Sequence, residues 1–197
     1  MSKLIFVVGG AGAGKTTIAK ALASKRKLAF FDMDTMLRPA AVSIMTLQGL
    51  DPNDRDSPEY KRLCRDLGYR ITMDAALENV SIGIDAIVVG PFTKETEDAK
   101  WLEQELQKAG LTQEQVEVKA VVVHLSDEET YRSRFAVRDS ELDKWKLDNW
   151  ESFKGSLKQR EIKWPLNEAS ILYFDNSIAL SDDRLEKLEQ FIFDTEA

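Results

Sequence analysis

A chain of 197 residues, 43% hydrophobic and 31% charged, is long enough for one complete core and has the composition of an ordinary globular protein. Its single cysteine excludes an internal disulfide and a zinc site built from cysteines, and leads us to expect a reducing, cytoplasmic setting. The formal net charge of −7 argues against bulk electrostatic attraction to nucleic acid.

Five apolar runs bounded by turn signals predict five β-strands. They are LIFVV (4–8), LAFFDMD (28–34), IDAIVVG (84–90), VKAVVVHL (118–125) and ILYFD (171–175). Their nearly continuous hydrophobicity is typical of strands buried on both faces of a parallel sheet. No run reaches the length of a membrane-spanning helix, and the first lacks the basic flank and cleavage site of a signal peptide. We therefore expect no membrane association.

Helical stretches alternate with these strands, at Lys15–Lys25, Glu95–Ala109, Asp127–Val137 and Arg184–Phe193. The alternation predicts an α/β fold with right-handed crossovers. Two intervals are longer than a crossover requires, and long insertions in compact domains are usually functional. We therefore expect one domain over residues 1–197, with a helical substrate-binding insertion at about 35–81 and a lid at about 138–167.

The segment GGAGAGKTT, residues 9–17, contains a complete Walker A motif between a predicted strand and a predicted helix. Glycines let successive backbone N–H groups curl around phosphate oxygens, and the helix N-terminus adds partial positive charge. Lys15 is expected to reach the β- and γ-phosphates of a nucleoside triphosphate, and the Thr16 hydroxyl to bind Mg²⁺. The predicted nucleotide-binding residues are Gly10, Ala11, Gly12, Ala13, Gly14, Lys15, Thr16 and Thr17.

Other phosphate-binding classes fit the sequence less well. A G-x-G-x-x-G dinucleotide fingerprint fails in both registers, because Lys15 or Thr17 occupies its third glycine position. The N-K-x-D segment of a GTPase and an LSGGQ-type signature of an ABC ATPase are both missing from the sequence. Compact phosphotransferases are the class that this leaves.

With this motif and the segment FDMDT (31–35) at the end of the second predicted strand, the sequence resembles the P-loop small-molecule kinases. These include shikimate kinase, gluconate kinase, chloramphenicol phosphotransferase and the zeta-toxin-like kinases. The resemblance implies a three-layer P-loop NTPase fold with a five-stranded parallel sheet in the order 2-3-1-4-5 and a helical lid. It also implies an enzyme that uses ATP and Mg²⁺ to phosphorylate a hydroxyl of a small-molecule acceptor. We expect a monomer or a homodimer.

Two carboxylates follow the second strand. Asp32 and Asp34 face the same way if the strand continues through both. The resemblance assigns Asp34 as the base that accepts the acceptor's proton, and Asp32 as a residue that holds a water on Mg²⁺. Either could instead cap the next helix. The third strand ends in Gly90 rather than in a Walker B carboxylate, as in shikimate kinase, so metal binding is expected at Thr16 and Asp32.

Arg134 and Arg138 are four residues apart and share a helix face. The resemblance implies that they stabilise charge on the transferring phosphoryl group, while a solvated helix face is the alternative. An arginine of the insertion could hold an acidic or phosphorylated acceptor, and the sequence does not single one out among Arg38, Arg55, Arg62, Arg65 and Arg70.

The lid offers aromatic and basic residues with two interpretations each. Its tryptophans could cover a ligand or pack the lid on the core, and its basic residues could contact phosphate or be solvated. These are Trp145, Trp150, Trp164, Lys158, Arg160 and Lys163. Residues 175–177 either lie near the adenine or form a plain turn.

Two other functions stay open at this level. One is a nucleotide-binding ATPase or switch without a small acceptor, which the missing carboxylate on the third strand disfavours. The other is a toxin-like kinase of a nucleotide-sugar or a nucleic-acid end, and for nucleic acid the acidic charge balance argues against it.

Overall fold

The computed structural model of the protein describes residues 1–138 and 141–193, and the side chains in these ranges except those of residues 138 and 141–144. Its strands are β1 (Ser2–Gly9), β2 (Ala29–Asp32), β3 (Ala86–Gly90), β4 (Val116–His124) and β5 (Ile171–Asp175). All pairings are parallel, in the order β2-β3-β1-β4-β5. The implied sheet is therefore confirmed, including its strand order.

Helices connect and cover the strands. They are α1 (Lys15–Arg26), α2 (Met33–Leu47), α3 (Pro58–Tyr60), α4 (Asp66–Ser81), α5 (Trp101–Lys108), α6 (Glu128–Arg138), α7 (Glu141–Asp148), α8 (Trp150–Phe153) and α9 (Asp182–Phe193). A π-helical turn, Lys61–Arg65, links α3 to α4, and short 3₁₀ turns lie at Lys154–Leu157 and Glu168–Ser170. In the described ranges, no helix combines the length and apolar character needed to cross a bilayer.

The side chains of β1 show why the sheet is covered on both faces. Leu4, Phe6 and Val8 are fully buried on one face, in a cluster with residues of α4 and α5. Ile5 and Val7 are fully buried on the other face, against residues of α1, α6 and α9. Alternate residues of a strand point to opposite faces, so a strand buried on both must be apolar throughout. This arrangement gives the three-layer architecture.

A smaller cluster lies within the interval between β2 and β3. It joins α2 to α3 and the π-helical turn through Leu37, Ala41, Met45, Tyr60 and Cys64. The lone cysteine is fully buried there, and burial raises the pKa of its thiol. Cys64 is therefore a packing residue, and this local core fixes α2 beside the sheet edge.

Several predicted boundaries differ from the structure, and two of the differences have identifiable local reasons. The second strand ends at Asp32 rather than at residue 34, because the Asp32 carboxylate caps α2 and turns the chain into a helix. Asp32 and Asp34 therefore do not share a strand face. The helix predicted from Glu95 begins only at Trp101, after a turn in which Asp98 Oδ1 accepts the Lys100 N–H.

Candidate active site

The phosphate loop connects β1 to α1, with glycine at both ends in backbone conformations that other residues rarely adopt. Gly9 has φ 142° and Gly14, the N-cap of α1, has φ 92°. A Cβ on Gly9 would lie 2.1 Å from the Val123 carbonyl oxygen, and a Cβ on Gly14 would lie 2.3 Å from Asn176 Nδ2. The loop is therefore held against β4 on one side and against the segment after β5 on the other.

The carbonyl of Ala13 in this loop accepts two side-chain hydrogen bonds. Asn176 Nδ2 donates to it at 2.8 Å and Arg134 Nη1 donates at 3.3 Å. Arg134 Nη2 also donates to the Asn176 carbonyl, which closes the set of contacts. Arg134 lines the cavity, and its guanidinium is hydrogen-bonded to backbone carbonyls and fixes the loop. Arg138 ends α6, and its side chain lies outside the described part of the chain.

Lys15 and Thr16 begin α1. Lys15 Nζ donates to the Gly10 carbonyl at 2.8 Å, so its chain folds back along the loop that would cradle phosphates. Thr16 Oγ1 donates to Asp32 Oδ2 at 2.8 Å. The motif and the carboxylate after β2, which are 16 residues apart in sequence, thus meet at the carboxyl edge of the sheet.

The Asp32 carboxylate caps α2 and also contacts Thr16. Its Oδ1 accepts the N–H groups of Asp34 at 3.0 Å and Thr35 at 3.4 Å, while Oδ2 contacts Thr16. A hydroxyl beside a carboxylate fits Mg²⁺, which usually takes one or two protein ligands and completes its shell with water and substrate phosphates. No group of three or more metal-ligating His, Cys, Asp or Glu residues occurs in the described ranges.

Asp34 is exposed in the first turn of α2, close to two tyrosines of the insertion. Burial raises the pKa of Tyr60 to about 12; the positive charge of Arg55 opposes this shift and the negative charge of Asp34 adds to it. Burial likewise raises the pKa of Tyr69, whose hydroxyl accepts the Phe92 N–H at 3.0 Å. Both phenols are therefore protonated at neutral pH.

One cavity of about 1080 Å³ joins the loop to the insertion and the lid. Single small-molecule sites usually measure about 300–1,000 Å³, so this one has room for a nucleotide and a second small molecule. Its polar and charged lining includes Lys15, Thr16, Thr17, Asp32, Asp34, Arg55, Asp56, Tyr60, Lys61, Arg65, Tyr69, Thr93, Arg134, Lys146, Ser152, Ser156 and Arg160.

The cavity distinguishes among the arginines of the insertion. Arg55 and Arg65 line it. Arg38 and Arg62 are exposed and lie outside its lining, and Arg70 forms ion pairs with Asp74 and Glu105. Of the five candidates, two can therefore reach a ligand in this arrangement.

Arg65 is fixed by a buried carboxylate that the sequence did not single out. Its Nη2 contacts both carboxylate oxygens of Glu95, at 2.8 and 3.0 Å, and its Nη1 contacts Asp66 at 2.9 Å. The backbone carbonyl of Glu95 also accepts the indole N–H of Trp164 at 2.7 Å. Glu95 therefore connects the segment after β3, the insertion and the carboxyl-terminal part of the lid.

The lid tryptophans divide into packing and lining residues. Trp164 is buried and stacks on Trp101 with 5.5 Å between ring centroids, so it belongs to the core. Trp150 packs edge-on against Phe135. Trp145 lines the cavity and is 47% exposed, so of these three tryptophans it is the one that can contact a ligand.

Gly90, at the end of β3, lines the cavity beside Pro91. A Cβ at this position would lie 2.9 Å from the Phe92 ring and 3.5 Å from the Met33 side chain. The packing of Phe92 and Met33 therefore requires glycine at position 90, whether or not a ligand also approaches the backbone closely there.

The fold and the phosphate loop allow comparison with known proteins. Residues 4–159 match the model of a family described as AAA domain. The chain belongs to this AAA domain family. The resemblance to P-loop kinases is thus confirmed at the level of family and fold, and no curated protein matched the sequence significantly.

Solved structures of other proteins share the fold over nearly the whole chain. A proposed kinase from Chloroflexus aurantiacus superposes with a TM-score of 0.64 at 16% identity, covering 96% of this chain and 94% of its own. A sugar kinase from a Janibacter species gives 0.61 at 17% identity, covering 98% and 95%. A gluconokinase from Sinorhizobium meliloti gives 0.50 at 13% identity, covering 97% and 89%. At these identities the likeness concerns the fold.

Proposed function

We propose that the protein is an ATP-dependent phosphotransferase that moves the γ-phosphate of ATP to a hydroxyl of a small-molecule acceptor. The observation that carries the proposal is that residues of the phosphate loop and Asp34 line the same cavity. The kinase descriptions of the structural relatives agree with it. In this proposal residues 35–81 bind the acceptor and residues 138–167 act as a lid.

The donor end of the cavity would bind the nucleotide. The loop amides and Lys15 would hold the phosphates, and Thr16 with Asp32 would hold Mg²⁺, which offsets phosphate charge when bound. Arg134 would keep the loop in shape through Ala13, and Arg138 would contact the phosphoryl group in transfer.

The acceptor end would carry out the proton transfer. Asp34 would hold the acceptor hydroxyl and take its proton as the oxygen forms a bond to the γ-phosphorus, while the bond from that phosphorus to the β–γ bridging oxygen breaks and ADP leaves. Water must be excluded during this step. The lid approaches the insertion through Lys146 Nζ, 3.9 Å from Asp56 Oδ2, and could provide this exclusion.

Measurement of ADP formation against a panel of hydroxyl metabolites and nucleosides tests the proposal, with mass spectrometry of the products. We expect at least one acceptor to raise turnover above the water background and to gain one phosphoryl group. Lys15→Ala should abolish this activity. Asp34→Asn should lower kcat by about 10²- to 10⁴-fold, the usual contribution of a general base.

Asp183→Asn is the matched control, because Asp183 is exposed on α9 and lies outside the cavity lining. It should leave turnover unchanged. ATP turnover that needs no acceptor and survives Asp34→Asn would favour an ATPase or a switch. A panel in which no acceptor raises turnover would refute the kinase proposal.

A further inference from the structure

The cavity is basic although the chain as a whole is acidic. Its described lining has seven basic side chains, Lys15, Arg55, Lys61, Arg65, Arg134, Lys146 and Arg160, and three acidic ones, Asp32, Asp34 and Asp56. Two of the seven basic side chains, Lys15 and Arg134, hydrogen-bond to the phosphate loop, whereas Arg55, Lys61 and Arg65 belong to the insertion. The positive charge of the cavity therefore extends beyond the loop.

Protein carboxylates already neutralise part of this excess. Arg65 is held by Glu95 and Asp66, and Lys146 lies beside Asp56. These side chains shape the cavity, and binding of an anion by them would compete with existing ion pairs.

Arg160 differs from them, because its hydrogen bonds in the described ranges go to carbonyl oxygens alone. It donates to Pro91 at 3.4 Å, to Lys158 at 3.0 Å and to Ser156 at 3.0 Å, and forms no ion pair with a described carboxylate. Burial lowers the pKa of its guanidinium, which nevertheless stays charged at neutral pH. Arg160 is half-buried, and although the negative charge of Glu97 acts on it, no described carboxylate forms an ion pair with it. A partly desolvated charge of this kind gains more from an incoming anion than a fully exposed charge does.

Arg55 is the second such group. It is half-buried, lines the same cavity and forms no hydrogen bond or ion pair through its side chain with the described residues. Arg55 belongs to the insertion, and Arg160 lies between Tyr69 of the insertion and Tyr131 of α6, where it contacts Pro91. The charge of Arg55 acts on Tyr60, as does that of Asp34, while Arg160 contacts Pro91 directly after β3 and interacts with Tyr69.

We propose that the acceptor is an anion, and that Arg160 and Arg55 bind its carboxylate or phosphate group while its hydroxyl lies at Asp34. This inference rests on the proposed function and specifies its substrate class. The two guanidinium groups offset the repulsion between the acceptor's charge and the carboxylate of Asp34. Their planar donor pairs also suit the two oxygens of a carboxylate or a phosphate.

Calorimetric binding to the protein loaded with Mg²⁺ and a non-hydrolysable ATP analogue tests the inference, because the analogue fills the phosphate loop. The probes are two series with matched carbon skeletons: glycerol, glycerate and glycerol 3-phosphate, and glucose, glucuronate and glucose 6-phosphate. We expect an anionic member of at least one series to bind at least tenfold more tightly than its neutral counterpart. The carboxylate and phosphate members distinguish the two sources of charge.

Arg160→Gln and Arg55→Gln should each reduce the affinity for that anion by about 10- to 100-fold, as expected for loss of a charged hydrogen-bonding partner. They should leave the affinity for the nucleotide analogue unchanged, which also verifies folding. Arg55→Gln breaks no hydrogen bond of the described structure, so it tests the inference even if Arg160→Gln does not fold. Arg132→Gln and Arg62→Gln remove exposed arginines outside the cavity and should change nothing.

Neutral members that bind as tightly as anionic ones would overturn the inference. So would the failure of every anionic member to bind, or an anion preference that survives both variants. The proposed function fails separately: an anion preference without phosphoryl transfer to any acceptor would reject the kinase and keep the anion site. Phosphorylation of a neutral acceptor with kcat/KM unchanged in Arg160→Gln would keep the kinase and reject the anion site.

Discussion

The two carboxylates that hold Arg65 provide a test of how burial sets the strength of an ion pair. Glu95 and Asp66 lie at nearly equal distances from the guanidinium, 2.8 and 2.9 Å. Their side chains differ sharply in exposure, at 8% for Glu95 and 92% for Asp66. Distance alone therefore predicts equal contributions to the free energy of unfolding, and burial predicts very different ones.

Glu95→Gln leaves the charge of Arg65 largely out of water, because the Arg65 side chain is only 18% exposed. Breaking a buried pair in this way costs about 3–5 kcal/mol, and we expect the lower end because Asp66 still contacts Arg65. For a chain of this size, a loss of about 3 kcal/mol corresponds to a decrease in Tm of roughly 6–12 °C. Asp66→Asn, the matched control, should cost about 0–1 kcal/mol.

Urea unfolding followed by tryptophan fluorescence measures both losses, since Trp164 packs beside Glu95. A constant m-value would show that the variants change stability rather than the compactness of the unfolded state. The double variant Arg65→Met/Glu95→Gln should recover part of the loss, because no unpaired charge is then left inside. Equal losses for Glu95→Gln and Asp66→Asn would refute the reasoning.

Three further predictions concern single residues. Asp32→Ala should cost about 1 kcal/mol of unfolding free energy, because the α2 cap is lost. Asp32→Asn should keep that stability but slow ADP formation. Equal loss of stability in the two variants, measured by urea unfolding, would contradict the capping role. Gly14→Ala should lose more stability than Gly110→Ala in urea, and should also weaken binding of an ATP analogue. Both glycines have positive φ, at a strain cost of about 1–2 kcal/mol for alanine, but a Cβ meets no atom within 4 Å at Gly110. The pKa of Tyr60 is raised from 10.0 to about 12 in the folded state. The stabilising contribution of its protonated hydroxyl should therefore be complete below about pH 10 and lost as the pH rises through about 12. Over this window the urea midpoint of Tyr60→Phe should decline less than that of the wild type.

The strands could be predicted from the sequence because a strand covered on both faces must be apolar at nearly every position. Their order could not, since hydrophobic runs carry no information about neighbours, and it came from the resemblance. The predicted end of β2 was wrong because the apolar run FFDMD favours an extended chain. Only the structure shows that the Asp32 carboxylate accepts the N–H groups of Asp34 and Thr35 and so begins a helix. A cap of this kind decides a boundary that hydrophobicity leaves ambiguous.

The phosphate loop could be predicted because its chemistry is contained in nine consecutive residues. The contacts that fix the geometry of the site could not be predicted from the sequence. Glu95 lies 30 residues from its partner Arg65, and Asn176 lies 163 residues from Ala13. Neither belongs to a motif, and a glutamate or an asparagine in a turn has many ordinary explanations. Their roles follow only from the topology, which brings distant turns to the same edge of the sheet.

These two residues stabilise opposite ends of the cavity. Asn176 and Arg134 hold the phosphate loop at Ala13, beside β4 and β5. Glu95 holds Arg65 of the insertion and Trp164 of the lid, beside β3. Because the two sets of contacts share no residue, damage to one should leave the other nearly intact. Glu95→Gln should therefore raise the KM for the acceptor more than it weakens nucleotide binding, and Gly14→Ala, which displaces Asn176, should do the reverse.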